Sequence, residues 1–245
     1  MIDAGRNLVK GTRMITHGCM MLLVLALPTA PPPAAASGAS KATTSAKKPA
    51  AKPVDALVQK VQAYYARMAD YSADFVQTYT KVALSQKREL RGVLQLRKPA
   101  QARWLYRDPP KEWVINGKRM TMLDPELEQA FVDDNFESAE ISRSISFLWG
   151  DGRLDESFAA TLGDRNTYGF EDGRSALELV PRTGATYRKL VLGVNPKTGE
   201  VTDSILFETA GNTNRFQFRN VKLNTGLAPL LFEARTPPGW EIIKQ

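Results

Sequence analysis

The sequence predicts a mainly β domain: an antiparallel meander of ten or eleven strands that curls, with helices covering its concave face. Three observations carry this. An apolar stripe of helical period opens the folded region at residues 54–70. From Tyr71 onward the apolar period switches to two and returns after each Gly, Pro or Asn-Gly cluster. One stretch in the middle, "SAEISRSISFLWGDG", reverts to helical spacing.

Ahead of the domain lie two segments with nothing to pack. Residues 1–36 combine Arg6, Lys10 and Arg13, the apolar run "CMMLLVLALPTA" and small residues ending in "PPPAAAS". That order describes a secretory signal peptide, cut near Ala36 or, alternatively, at Ala30, and its apolar run is too short to span a bilayer. Cys19 precedes the apolar run instead of following it, so a soluble exported protein is expected, not a lipid-anchored one. Residues 37–53, "SGASKATTSAKKPAAKP", hold only Ala, Ser, Thr, Gly, Lys and Pro and read as a flexible tether. Residues 54–245 then form one domain.

In "VDALVQKVQAYYARMAD", Val54, Leu57, Val58, Val61, Tyr65 and Met68 recur at three- and four-residue spacing, which predicts an amphipathic helix. Strands follow at 72–82, 90–97, 102–107, 112–116, 119–123 and 128–132, separated by "KPAQ", "DPP", "NGK" and "DPEL". Asn116-Gly117 between alternating runs is a strong hairpin signal. In the middle, Ile141, Ile145 and Leu148 mark a helix flanked by Phe147 and Trp149 and stopped by Gly150, and a second short helix is expected at 155–162. Strands resume at 167–171, 175–181, 187–194, 201–208 and 214–222.

Charge and composition narrow the function. The chain carries 33 Lys and Arg against 26 Asp and Glu, but residues 1–53 hold seven of the former and one of the latter, leaving the domain with 26 and 25. A net of +1 gives no electrostatic footprint for nucleic acid, and no nucleic-acid partner is expected. The single Cys (Cys19) and single His (His17) both fall in the leader. The domain therefore has no Cys or His nucleophile, no His general base and no Cys/His zinc site, and no metal or cofactor is expected. A carboxylate hydrolase using Asp124, Glu126 and Glu128 stays open as an alternative, although these residues more simply form a turn. A membrane-surface module acting through the basic tether is a third reading.

Parity sorts the stretch "GVLQLRKPAQARWLYRDPP". Leu94 and Leu96 share a face, as do Ala102, Trp104 and Tyr106, while Arg97, Arg103 and Arg107 point the other way as a solvated outer face. Lys98 lies on the apolar parity at a strand end, where a lysine can snorkel to the rim.

The ordered motifs resemble a known family. Phe75-x-Gln77, the Gly92, Leu94, Leu96, Pro99 and Trp104 of the stretch above, Pro109, "NGK", "LDPELEQA", the mid-chain apolar helix and a terminal "PPG" at 237–239 together resemble the periplasmic outer-membrane lipoprotein carriers of the LolA family. The resemblance implies an unclosed, curved β-barrel of about eleven strands with the N-terminal helix and a mid-chain helical lid over a hydrophobic cavity. It also implies a monomeric, non-enzymatic periplasmic chaperone. Such a carrier takes acylated lipoproteins as cargo from an inner-membrane lipoprotein-releasing ABC transporter to an outer-membrane acceptor lipoprotein. A sixteen-carbon acyl chain resists transfer to water by about 10 kcal/mol at about 0.8 kcal/mol per methylene, so a carrier must cover it.

Candidate cavity residues are Phe75, Leu94, Leu96, Ala102, Trp104, Tyr106, Met120 and Met122 from the sheet. Ile141, Ile145, Phe147, Leu148 and Trp149 would come from the lid, with Met68 and Leu57 from the first helix. The family places an Arg before the motif's Pro, where it bonds lid backbone; here the position is Lys98, whose point charge offers no planar fork. A carrier or sensor of another periplasmic lipid is the related alternative. Sensors of this fold usually add a second C-terminal domain, whereas this chain runs only to Gln245.

Overall fold

In a computed structural model, residues 52–136, 153–185 and 187–244 are described. Residues 1–51, on which the expected signal peptide and nearly all of the expected tether fall, and the mid-chain apolar segment with Ile141, Ile145, Phe147, Leu148 and Trp149 lie outside them. No helix among the described residues is long and apolar enough to cross a membrane.

Helix α1 spans Pro53–Ala66, begun by proline at its first turn, where the missing N–H has no intrahelical partner to lose. It ends four residues earlier than the apolar period predicts. Asp70 already belongs to strand β1, and Met68 is buried from the connection instead of the helix.

Twelve strands follow: β1 Asp70–Lys81, β2 Gln86–Arg97, β3 Gln101–Arg107, β4 Pro110–Asn116, β5 Arg119–Asp124, β6 Gln129–Asp133, β7 Phe158–Gly163, β8 Ser175–Pro181, β9 Tyr187–Val194, β10 Val201–Glu208, β11 Thr213–Leu223 and β12 Glu241–Lys244. They form one sheet in the order β12-β6-β5-β4-β3-β2-β1-β11-β10-β9-β8-β7. Apart from β12, each half is a run of hairpins, and β1 with β11 joins the halves antiparallel. The sheet does not close, since β12 and β7 are its two edges. Inward side chains from β1–β4 and β7–β11 meet those of α1 in a single core cluster, so the sheet must curve around the helix.

Three expectations need correction. Residues 167–171 are a turn and not a strand: Phe170 folds back over the outer face, where it packs with Ala176, Val191 and Ile205. The helix expected at 155–162 is one turn, α2 (Leu154–Ser157), after which Phe158 enters β7. The last strand was not foreseen. β12 pairs with β6 in parallel, and a 3-10 turn at Pro229–Phe232 packs against β3 and β4 from outside, burying Phe232 completely.

This outer cover explains why Val114, Leu123, Ala130 and Val132 are buried although they point away from the inner face. Asp70 fastens the start of the C-terminal segment. Its carboxylate accepts from the backbone N–H of Thr225 (2.8 Å), Gly226 (2.8 Å) and Leu227 (3.3 Å) and from the Thr225 hydroxyl (3.1 Å). Burial alone would raise its pKa, but the Thr225 and Gly226 N–H bonds outweigh that and hold it below the ordinary carboxylate value.

Candidate apolar cavity

The inner wall is built by register. Across β2 to β6, Leu94 stands opposite Trp104, Trp104 opposite Trp113, Trp113 opposite Met122, and Met122 opposite Phe131. One step along, Leu96, Ala102, Ile115 and Met120 form a second row. Directly opposed residues of an antiparallel sheet share a face, so these are two continuous apolar rows across the strands.

The rows differ in burial. Phe75, Leu94, Leu96 and Ala102 are at most 2% exposed and belong to the cluster closed over by α1, together with Leu57 and Met68. Trp104, Tyr106 and Met120 are half-buried at its margin. Trp113, Met122 and Phe131 are half-buried and outside the cluster. All eight candidates from the sheet therefore share one wall. The part under α1 is filled, and the part on β3–β6 offers aromatic and thioether surface. Trp113 and Phe131 were not among the candidates. The "DPP" turn pairs Arg107 with Pro110, and counting back from that pair puts Trp113 opposite Trp104, so hairpin arithmetic would have found it.

Phe75 organises the wall. Its ring sits edge-on to Tyr106 (5.2 Å between centroids) and to Phe216 (5.6 Å). It lies across Gly92, whose Cβ, were there one, would fall 2.2 Å from the Leu105 carbonyl oxygen and 2.6 Å from the Phe75 ring. The Gly92 of the family motif is thus the space that Phe75 occupies. At one end the wall carries neutral polar groups: the Tyr106 hydroxyl donates to Gln77 Oε1 (2.9 Å), and Gln77 Nε2 donates to Asn214 Oδ1 (2.9 Å). Burial pushes the Tyr106 and Tyr71 phenols far above the ordinary range, so both stay uncharged.

Helix α1 is anchored over the wall at three points. Gly199, at φ +86°, lets the β9–β10 turn approach so closely that a Cβ would lie 2.2 Å from the Lys60 carbonyl oxygen, and Lys60 Nζ donates to the Pro196 carbonyl (2.7 Å). The buried Tyr65 hydroxyl accepts from the Val201 N–H (3.3 Å). At the helix C-terminus, Lys98 Nζ donates to the carbonyls of Ala66 (3.0 Å) and Tyr65 (3.2 Å), while Asn224 Nδ2 donates to that of Arg67 (3.3 Å). These carbonyls lack intrahelical partners and carry the negative end of the helix dipole, so an ammonium there is doubly favourable. Lys98 is not free at the rim, and the mid-chain segment on which its expected latch role depends lies outside the described residues. It caps α1.

On the outer face the arginines are paired, Arg107 while still exposed to solvent. Arg103 Nε meets Glu112 Oε1 at 2.6 Å, Arg107 meets Asp74 at 3.2 Å, and Arg97 donates to Gln101 (2.8 Å). Of the three carboxylates in the hydrolase reading, Asp124 is buried and ion-paired with Lys111 (2.6 Å), and Glu126 and Glu128 lie exposed in the following turn.

A twelve-stranded open sheet with an apolar inner wall and a helix fixed across it defines the class of the unclosed β half-barrels. The family model of the outer membrane lipoprotein carrier protein LolA matches residues 66–235, and the chain belongs to that family. It is 27% identical over 201 residues to the outer-membrane lipoprotein carrier protein of Pseudomonas aeruginosa, covering 80% of this chain and 88% of that one. To the protein of the same description from Bordetella avium it is 25% identical over 203 residues, covering 81% and 92%. Among solved structures, a LolA-superfamily protein from Nitrosomonas europaea superposes with a TM-score of 0.42 at 10% identity, covering 75% of this chain and 99% of that one.

Proposed function

We propose that this protein is a periplasmic lipoprotein carrier that holds acyl chains against the inner wall of the half-barrel and conveys them from the inner to the outer membrane. The observation that carries the reading is the row Trp104, Trp113, Met122 and Phe131, half-buried and contiguous with a closed apolar core. Apolar side chains without positioned polar groups suit a ligand that offers only methylenes and varies in length, and methionine adapts to irregular chains. Family membership supports lipoprotein as the cargo. Loading by an inner-membrane lipoprotein-releasing transporter and delivery to an outer-membrane acceptor complete the proposed cycle.

Mass spectrometry of species that co-purify with the protein from periplasm tests this. Acylated protein or diacylated peptide is expected with the wild type and is expected to be depleted by Met122→Glu, which puts a carboxylate on the wall where it can still reach water. Folded wild type that retains no acylated species and binds no fatty acid overturns the proposal.

A further inference from the structure

The β1–β2 hairpin projects beyond β3, while on its other side β1 stays paired with β11 as far as Thr80. Strand β2 pairs with β3 only from Gly92 onward, so Gln86–Arg91 has β1 on one side and an open edge on the other. At about 3.3 Å per residue these six residues extend roughly 20 Å past the last β2–β3 pair. The tip is preformed. Val82–Leu84 makes a 3-10 turn closed by the Ser85 N–H to the Val82 carbonyl (3.1 Å), with Ser85 at φ 49°, and the Val82 N–H donates to Asn212 Oδ1 (3.2 Å).

Its chemistry is two-sided. Val82 and Leu84 are 58% and 60% exposed, among the most exposed large aliphatic residues described. Lys81, Lys87 and Arg88 flank them and make no ion pair among the described residues. The nearby acids are engaged: Glu89 with Arg91 (2.9 Å), and Glu208 with the Tyr79 hydroxyl (3.2 Å) and Asn212 (3.0 Å). Cations alone would protect an open strand edge from pairing. They do not account for two aliphatic side chains held exposed at the tip.

We propose that this tip is a membrane-docking finger that takes an anionic phospholipid surface, with Lys81, Lys87 and Arg88 on the headgroup phosphates and Val82 and Leu84 in the interface. This goes beyond acyl-chain carriage and does not depend on it.

The test is co-sedimentation of the full mature chain with vesicles of equimolar phosphatidylglycerol and phosphatidylcholine, and with phosphatidylcholine alone, at low and high salt. The wild type is expected to bind the anionic vesicles in a salt-sensitive manner. Lys81→Gln/Lys87→Gln/Arg88→Gln is expected to weaken binding about a hundredfold, at roughly fivefold per cation. Val82→Ser/Leu84→Ser, which leaves the charge unchanged, is expected to weaken it about tenfold. Unchanged thermal unfolding establishes that both variants are folded. No association of the wild type, or association that both variants leave intact and that removal of residues 37–53 abolishes, overturns the proposal. So does a loss confined to the charge variant, because a tip that does not insert is only a basic edge.

Discussion

Replacing Lys98 by methionine keeps the unbranched stem and removes the ammonium. Two carbonyl acceptors at 3.0 and 3.2 Å, both in the last turn of α1, lose the ammonium, although that of Tyr65 keeps the Met68 N–H (3.1 Å). Charge-assisted bonds contribute about 1.5–3 kcal/mol when buried and the dipole term about 0.3–1 kcal/mol. The Lys98 side chain is only partly buried, so the combined loss should be about 1–2 kcal/mol. For a domain of this size that lowers Tm by about 2–8 °C. Because α1 covers the wall, hydrogen exchange of its last-turn amides should quicken, and release of a bound fluorescent fatty acid should accelerate. Arginine at the same place can still donate to both carbonyls, so Lys98→Arg should stay within about 0.5 kcal/mol of the wild type. Thermal unfolding followed by circular dichroism, with exchange of the α1 amides, reads the outcome. If Lys98→Met melts with the wild type and leaves those amides equally protected, the capping role is refuted.

Asp70 carries a pH signature. Its folded pKa is depressed below its ordinary value, so its contribution is full above that ordinary value and is lost as pH falls through the folded one. Asp70→Asn should therefore cost about 2–3 kcal/mol at pH 7 in urea titrations, and the gap to the wild type should shrink on acidification below about pH 4. Gly92→Ala forces a methyl against the Leu105 carbonyl and the Phe75 ring, and should destabilise by about 2 kcal/mol or more in the same titrations while loosening the aromatic cluster in near-ultraviolet circular dichroism.

The inner wall was legible because β2 and β3 alternate cleanly. Leu94, Leu96, Ala102, Trp104 and Tyr106 fall on one face by counting in twos, and the structure puts them there. Strands β4 to β6 were harder to read, since Val114 beside Ile115 and Leu123 beside Met122 are apolar on both faces. The cause is the C-terminal segment crossing outside, a long-range contact that no local period encodes. Residues 167–171 show the reverse failure: Tyr168 and Phe170 alternate like a strand, yet they serve a turn that covers the outer face. The role of Lys98 needed the ends of two elements brought together, the α1 carbonyls and the β2–β3 turn, which sequence spacing places 32 residues apart. Parity correctly aimed its side chain inward but could not name the acceptor.

The claim that acyl chains lie along the β3–β6 wall is tested most directly by quenching tryptophan fluorescence with a bromine-labelled fatty acid. Trp104 and Trp113 stand opposite each other on that wall, and Trp240 lies in the C-terminal segment just before β12. Saturable quenching is expected in the wild type, with the quenched component reduced in Trp104→Phe and in Trp113→Phe and unchanged in Trp240→Phe. Absence of quenching, or a quenched component that neither wall substitution reduces, contradicts the account.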